Sequence, residues 1–172
     1  MMSLEQIQAA LQAALPGCQA EIVGNPSPAG QPSLWIDNEH ARAAAEYLRD
    51  SADLRLDYCS NVSGVDWPGQ KDQPGYLEAV YHLYSVELKQ GPVILRLRTA
   101  DRGEGARLPS LTPVWRAAEF QEREILDLYG IVFAGHPDPR RLLMWEEFTD
   151  HPMRKDYVPP SEDEPAGEAS RS

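Results

Sequence analysis

The sequence predicts an α+β fold: a mostly antiparallel or mixed sheet packed against N-terminal helices, with an irregular C-terminal extension. Three observations carry that reading. Apolar residues recur at helical spacing near the N-terminus, whereas from residue 53 onward they alternate in strand fashion. The strand-like runs follow one another through short, turn-rich links. Such links suit antiparallel pairing, because a parallel pair needs a crossover of about a dozen residues. After residue 133, Pro137, Pro139 and Pro152 and a loss of periodicity end the regular structure. The predicted division is an α+β domain over 1–133, an irregular interface segment over 134–158 and a disordered acidic tail over 159–172.

Ser3 and Gln6 form a capping-box pattern around Leu4, Ile7, Leu11 and Ala14, which are spaced for one helical face. Pro16 and Gly17 stop that helix. Short strands are predicted over Cys18–Val23 and Ser33–Ile36, separated by a Pro/Gly/Ser loop. Asp37 is suited to cap a helix over 38–49, whose Ala41, Ala44, Ala45 and Leu48 would let it lie close against a sheet. In Asp53–Val62, Leu54, Leu56 and Tyr58 alternate with Arg55 and Asp57, predicting a strand with one buried face. Gly64–Gly75 reads as a turn-rich loop, Tyr76–Leu88 as a central strand covered on both faces, and Lys89–Pro92 as a reverse connection. Arg96 and Arg98 alternate with Leu95 and Leu97 in a strand over Val93–Thr99, which predicts a second sheet face open to water. Asp101–Ser110 reads as a charged loop. Thr112 and Pro113 then open a turn into a helix over Ala117–Tyr129, ended by Gly130 and followed by an extended Ile131–Phe133.

A net charge of -11 over 172 residues argues against nucleic acid, since phosphate binding needs a basic footprint, and against direct adsorption to an anionic membrane. No run approaches the roughly 18 apolar residues of a membrane span, and the N-terminus lacks a basic leader, so retention in the cytoplasm is expected. Cys18 and Cys59 are too few for a disulfide framework or for an iron–sulfur cluster held by one chain. Neither G-x-G-x-x-G nor a P-loop occurs, so NAD, FMN and ATP are not expected to sit in this chain. No catalytic, cofactor-binding or metal residue is predicted.

The chemistry-bearing residues concentrate in Glu119–Tyr157. Arg123 lies four residues before Asp127, but an exposed helical ion pair contributes only about 0.3 kcal/mol. That is too little to account for so dense a charge pattern. Glu122, Glu124 and Asp127 are therefore expected to meet other elements or another chain. Their predicted intramolecular partners are Arg140 and Arg141, because a guanidinium fork holds a carboxylate through two parallel bonds. His136 and His151 each precede a proline and are expected to cap a turn or meet a carboxylate; neither has H-E-x-x-H or H-x-x-x-H spacing on a helix.

Glu122-Arg123-Glu124, Asp127-Leu128-Tyr129-Gly130, Gly135-His136-Pro137, Arg140-Arg141-Leu142, His151-Pro152 and Arg154-Lys155-Asp156-Tyr157 occur at spacings that resemble a signature of respiratory complex I. The family it marks is the thirty-kilodalton subunit of proton-translocating NADH:quinone oxidoreductase. Gly64-Val65-Asp66 and Leu108-Pro109-Ser110-Leu111-Thr112 also look familial. The chain departs from the family pattern at Pro139, Trp145, Phe148 and Asp150, where leucine, proline, tryptophan and glycine are usual.

The resemblance implies a hydrophilic, cofactor-free, non-catalytic subunit of the peripheral arm, on the cytoplasmic side of the inner membrane. Its implied partners are the quinone-site large subunit and the iron–sulfur neighbours; NADH, FMN, iron–sulfur clusters and quinone belong to the assembly. Glu122, Arg123, Glu124, Asp127, His136, Arg140, Arg141, His151, Arg154, Lys155 and Asp156 then read as scaffold and interface residues. An equivalent subunit of a membrane-bound hydrogenase or plastoquinone-type dehydrogenase fits the same motif. Two other classes compete: a stand-alone metal-dependent hydrolase using His136, His151 and the helix carboxylates, and a free adaptor whose basic patch binds an acidic partner.

Overall fold

The computed structural model describes residues 2–159 apart from 72 and 104. All but the first residue of the predicted acidic tail thus lies outside the described residues.

Helix α1 (Leu4–Ala14) starts where its capping box predicts: Ser3 Oγ accepts from Gln6 N at 3.3 Å, and Gln6 Oε1 accepts from Ser3 N at 2.8 Å. Ile7 and Leu11 are buried, Leu4 is partly so, and Ala14 is exposed. Strand β1 (Ala20–Val23) begins two residues later than predicted, and β2 (Ser33–Ile36) lies as expected; the two pair antiparallel. Helix α2 (Ala41–Asp50) begins three residues beyond its predicted start and has no side-chain cap. Asp37 caps the preceding turn instead, accepting from His40 N at 3.0 Å and Gln19 N at 2.7 Å. The predicted small face of α2 is fully buried at Ala41, Ala44, Ala45 and Leu48.

The third strand is displaced from its predicted place. Leu54 and Leu56 are buried, but in a turn: Leu54 N and Arg55 N bond Ser51 O, and Leu56 N bonds Leu48 O. Their alternation comes from chain winding back under α2, and Tyr58, expected inside, is exposed. Strand β3 runs from Tyr58 to Trp67 and so includes the predicted turn residues Gly64–Trp67. Gly64 is needed there for close packing, because a Cβ would stand 2.5 Å from the Tyr129 ring.

Strands β4 (Tyr76–Ser85) and β5 (Gln90–Arg98) follow, joined by a turn over 86–89 rather than at Lys89–Pro92. The sheet order is β1-β2-β5-β4-β3, with β2 and β5 parallel and every other neighbour antiparallel. The sheet is therefore mixed, with β5 in the middle and β4 an inner strand buried on both faces, as its apolar run predicts. Leu77, Ala79, Tyr81 and Leu83 of β4 join Leu34, Ile36, Leu95 and Leu97 in one core with the helices.

The opposite sheet face is not open to water at Arg96 and Arg98. Their guanidiniums close on Glu78, whose side chain is fully buried, at 2.9 and 2.6 Å, and Trp67 Nε1 donates to the same carboxylate at 2.6 Å. A charge shared this way can leave water because its oxygens keep strong donors.

Within the predicted loop 101–110, Arg107–Pro109 forms β6, parallel to β7 (Val132–Ala134) in a separate two-stranded sheet. Helix α3 (Ala118–Tyr129) lies between them in the chain and ends at Gly130, whose φ of 75° is the left-handed cap expected there. Thr112 does not cap a backbone amide; its hydroxyl donates into α3, to Glu122. Beyond Ala134 no helix or strand forms among the described residues.

Candidate functional site

Three predicted residues of α3 divide by depth. Glu122 and Asp127 are fully buried and Glu124 is not: Glu122 shares the core face of Ala118 and Ile125, whereas Asp127 lies on the far side of the helix and is covered by the chain at 141–144. Glu122 meets neither Arg140 nor Arg141. Ser110 Oγ (2.6 Å) and Thr112 Oγ1 (3.1 Å) donate to its Oε2, while Leu111 N (2.8 Å) and Tyr81 OH (3.0 Å) donate to Oε1. Burial pushes its pKa up, and these four donors limit the rise.

Asp127 does meet its predicted arginine. Arg141 Nη1 lies 2.7 Å from Oδ1, and the amides of Leu142, Leu143 and Met144 donate to Oδ2 at 3.0, 2.6 and 2.8 Å. Burial alone would raise this carboxyl, but those amides and Arg141 outweigh it and hold Asp127 below its ordinary value. A single helix residue therefore fixes the path of the chain after the 136–139 turn.

Arg123 bonds that same chain rather than Asp127: Nε reaches Arg140 O and Nη2 reaches Arg141 O, each at 3.0 Å, and Nη1 pairs with Asp138 at 3.1 Å. The Arg140 side chain pairs with Asp138, at 2.6 Å, and is mostly exposed. His136 caps the turn as predicted, its Nδ1 accepting from Asp138 N at 3.0 Å and its Nε2 facing Glu119 O at 2.9 Å. An acceptor at Nδ1 assigns the proton to Nε2.

The second half of the segment closes the end of α3. A helix leaves its last carbonyls without intrahelical partners. Here Asp127 O faces His151 Nδ1 (3.0 Å), Leu128 O accepts from Met153 N (3.1 Å) and Tyr129 O from Arg154 Nε (2.7 Å). Burial, first of several causes, lowers the His151 pKa. Arg154 also donates to Arg102 O at 2.8 Å. Lys155 N donates to Asp66 Oδ2 at 2.8 Å, and its ammonium lies over the Trp67 ring; Asp156 pairs with Arg102 at 3.1 Å.

The pairing of Asp66 with Arg102 is not evident from the sequence. Asp66 has a fully buried side chain and is held bidentately by Arg102 at 2.6 and 2.7 Å, which anchors the segment to β3. The available signal is Val65-Asp66 immediately before Trp67, which the glycines and prolines that follow disguise as a turn. Elsewhere, Cys18, Asp37 and His40 gather their ligand atoms within 4.8 Å of one another, a cluster hidden by sequence separation.

Alongside exposed charges at Arg140, Glu146, Glu147 and Asp156, the segment presents apolar groups outward. Leu143, Trp145 and Met153 are each more than half exposed. Trp145 stacks edge-on to Phe148 at 4.7 Å, and Phe148 lies 6.3 Å from Tyr157. His136, His151 and the helix carboxylates do not form a ligand cluster among the described residues.

The family model for the respiratory-chain NADH dehydrogenase 30 Kd subunit matches residues 34–163. The chain belongs to that family. A subunit of the NADH-quinone oxidoreductase of Salinispora arenicola is 42% identical over 128 residues, covering 74% of this chain and 50% of that protein. Its counterpart from Roseiflexus castenholzii is 38% identical over 150 residues, covering 87% and 81%. The chain spans about half the length of several of the curated relatives it matches. Among solved structures, a trypsin-resistant fragment of Nqo5 shares 29% identity at a TM-score of 0.52, covering 80% of this chain and 99% of the fragment. A chain of an archaeal membrane-bound sulfane sulfur reductase shares the fold, with a TM-score of 0.62 at 22% identity over 90% of this chain and 85% of that one. Among the described residues of this 30 Kd family member, no helix is long and apolar enough to cross a membrane.

Proposed function

We propose that this member of the 30 Kd subunit family is a non-catalytic scaffold subunit in the peripheral arm of a proton-translocating NADH:quinone oxidoreductase. It docks on the large subunit that forms the quinone site and contacts the iron–sulfur neighbours, on the cytoplasmic side of the inner membrane. NADH, FMN, iron–sulfur clusters and quinone are held by other subunits. One observation carries the reading: Arg141, Asp138, Arg154 and the Lys155 amide tie residues 135–157 to α3 and β3 while Leu143, Trp145 and Met153 remain exposed. Exposed apolar groups on a bonded frame suit a partner surface, because little conformational freedom remains to be lost on binding. A subunit of this kind supports electron transfer by fixing the geometry of its neighbours; the redox chemistry is that of the cofactors.

The test replaces Leu143 and Trp145 together by Ser in the native assembly. The expected result is loss of this chain from the purified peripheral arm, with the thermal unfolding of the isolated chain unchanged. Normal assembly with normal quinone reduction would overturn the docking surface. Normal assembly with lost electron transfer would instead make the chain catalytic. The proteins that co-purify with it distinguish an NADH-fed assembly from a hydrogenase-like or plastoquinone-type relative.

A further inference from the structure

Outside the C-terminal cassette, the β1–β2 hairpin brings together groups that the scaffold role leaves unused. Ala20 pairs with Ile36, so the residues just before β1 lie beside those just after β2. Asp37 N donates to Gln19 O at 3.1 Å, and Gln19 N donates to Asp37 Oδ2 at 2.7 Å, which fixes this end of the hairpin. His40 Nδ1 stands 2.9 Å from Asp37 Oδ1. The His40 ring also lies over Gly17, 3.8 Å from where that residue's Cβ would be. Cys18 is buried, and its sulfur completes a group whose ligand atoms all lie within 4.8 Å of one another.

We propose that Cys18, Asp37 and His40 form a zinc site, with water as the fourth ligand. Thiolate, imidazole and carboxylate are the zinc donors, and three protein ligands with one open position is a recurrent zinc arrangement. Solvent reaches the fourth position because the Asp37 and His40 side chains are 19% and 23% exposed. Tetrahedral zinc requires about 3.4 Å between a ligating nitrogen and oxygen, so His40 and Asp37 must part by about half an ångström. On binding, the Cys18 proton leaves to solvent, and a proton on the ligating ring nitrogen moves to the other. Each Asp37 oxygen already accepts from a backbone amide, which orients the carboxylate as supporting bonds orient metal ligands. The ion would clip the start of β1 to the turn before α2. Zinc has no redox chemistry, so the site stands or falls independently of the proposed subunit role.

The test titrates the purified full chain with Co²⁺, followed by Zn²⁺. A thiolate-to-cobalt charge-transfer band should appear and be displaced by zinc. Cys18→Ser should abolish it, His40→Gln should weaken binding by at least about tenfold, and Cys59→Ser should leave it intact. Absence of the band from the folded wild-type chain, or its persistence in Cys18→Ser, would overturn the site. Circular dichroism checks that the variants fold. Should Cys18→Ser unfold, alkylation of the wild-type chain decides by mass spectrometry: zinc should slow modification of Cys18 and not of Cys59, and equal rates with and without zinc would overturn the proposal.

Discussion

Two buried carboxylates on one helix show how completely a residue's surroundings decide its chemistry. Asp127 is buried against amides and a guanidinium that favour its charged form, while Glu122 is buried among hydroxyls and an amide that only partly offset desolvation. Their effects on stability versus pH are therefore opposite in sign. Asp127, with its folded pKa held down, contributes stability that is present above its unfolded value of about 3.9 and is lost as pH falls through the lower folded value. Glu122, with its folded pKa pushed up, contributes stability that is present below about 4.3 and is lost as pH rises through the folded value. Denaturant titrations over a pH series should show wild type gaining on Asp127→Asn as pH rises up to about 3.9, and losing ground to Glu122→Gln as pH rises above about 4.3. Both positions and the Asp127–Arg141 pair are legible in the sequence. The true partners of Glu122 are not, because helical spacing discloses which residues share a face but not which face meets hydroxyls from 110–112.

At the scale of elements, contacts between elements decide where the chain turns. Gly64 reads as a loop residue when seen beside Pro68, Gly69 and Pro74, yet it lies in β3 because α3 presses Tyr129 against it. A methyl group there must displace the ring, so Gly64→Ala should destabilise the chain by about 1–3 kcal/mol. Shortening the partner as well, in Gly64→Ala/Tyr129→Leu, should cost less than the sum of the two single changes when measured by chemical denaturation. Helix ends with local chemistry are legible: the Ser3 box and the Gly130 cap need only neighbours in sequence. The start of α2 and the turn at 51–56 are not, because Asp37 is drawn to Gln19 and Leu54 and Leu56 are drawn beneath α2. The outer face of β5 misleads for the same reason, since Glu78, which neutralises Arg96 and Arg98, belongs to a different strand.

For the molecule as a whole, the α+β class, the mixed sheet and the irregular C-terminal stretch are all readable from order and spacing. The strand order is not, because local spacing does not specify a pairing between residues some 60 positions apart. That pairing has a cost. The β1–β2 hairpin joins the three-stranded β3-β4-β5 meander through a parallel register of only two pairs, Leu34 with Leu95 and Trp35 with Arg96. The meander, in contrast, is zipped by long antiparallel registers between neighbours in sequence. Amides of β1 and β2 should accordingly lose protection in native-state hydrogen exchange before those of β4, at a lower opening free energy; equal protection across all five strands would refute this. Within one continuous core the backbone ladder is thus thinnest between β2 and β5, and strain applied from outside would open it there first, leaving the meander and the helix that carries the C-terminal segment intact.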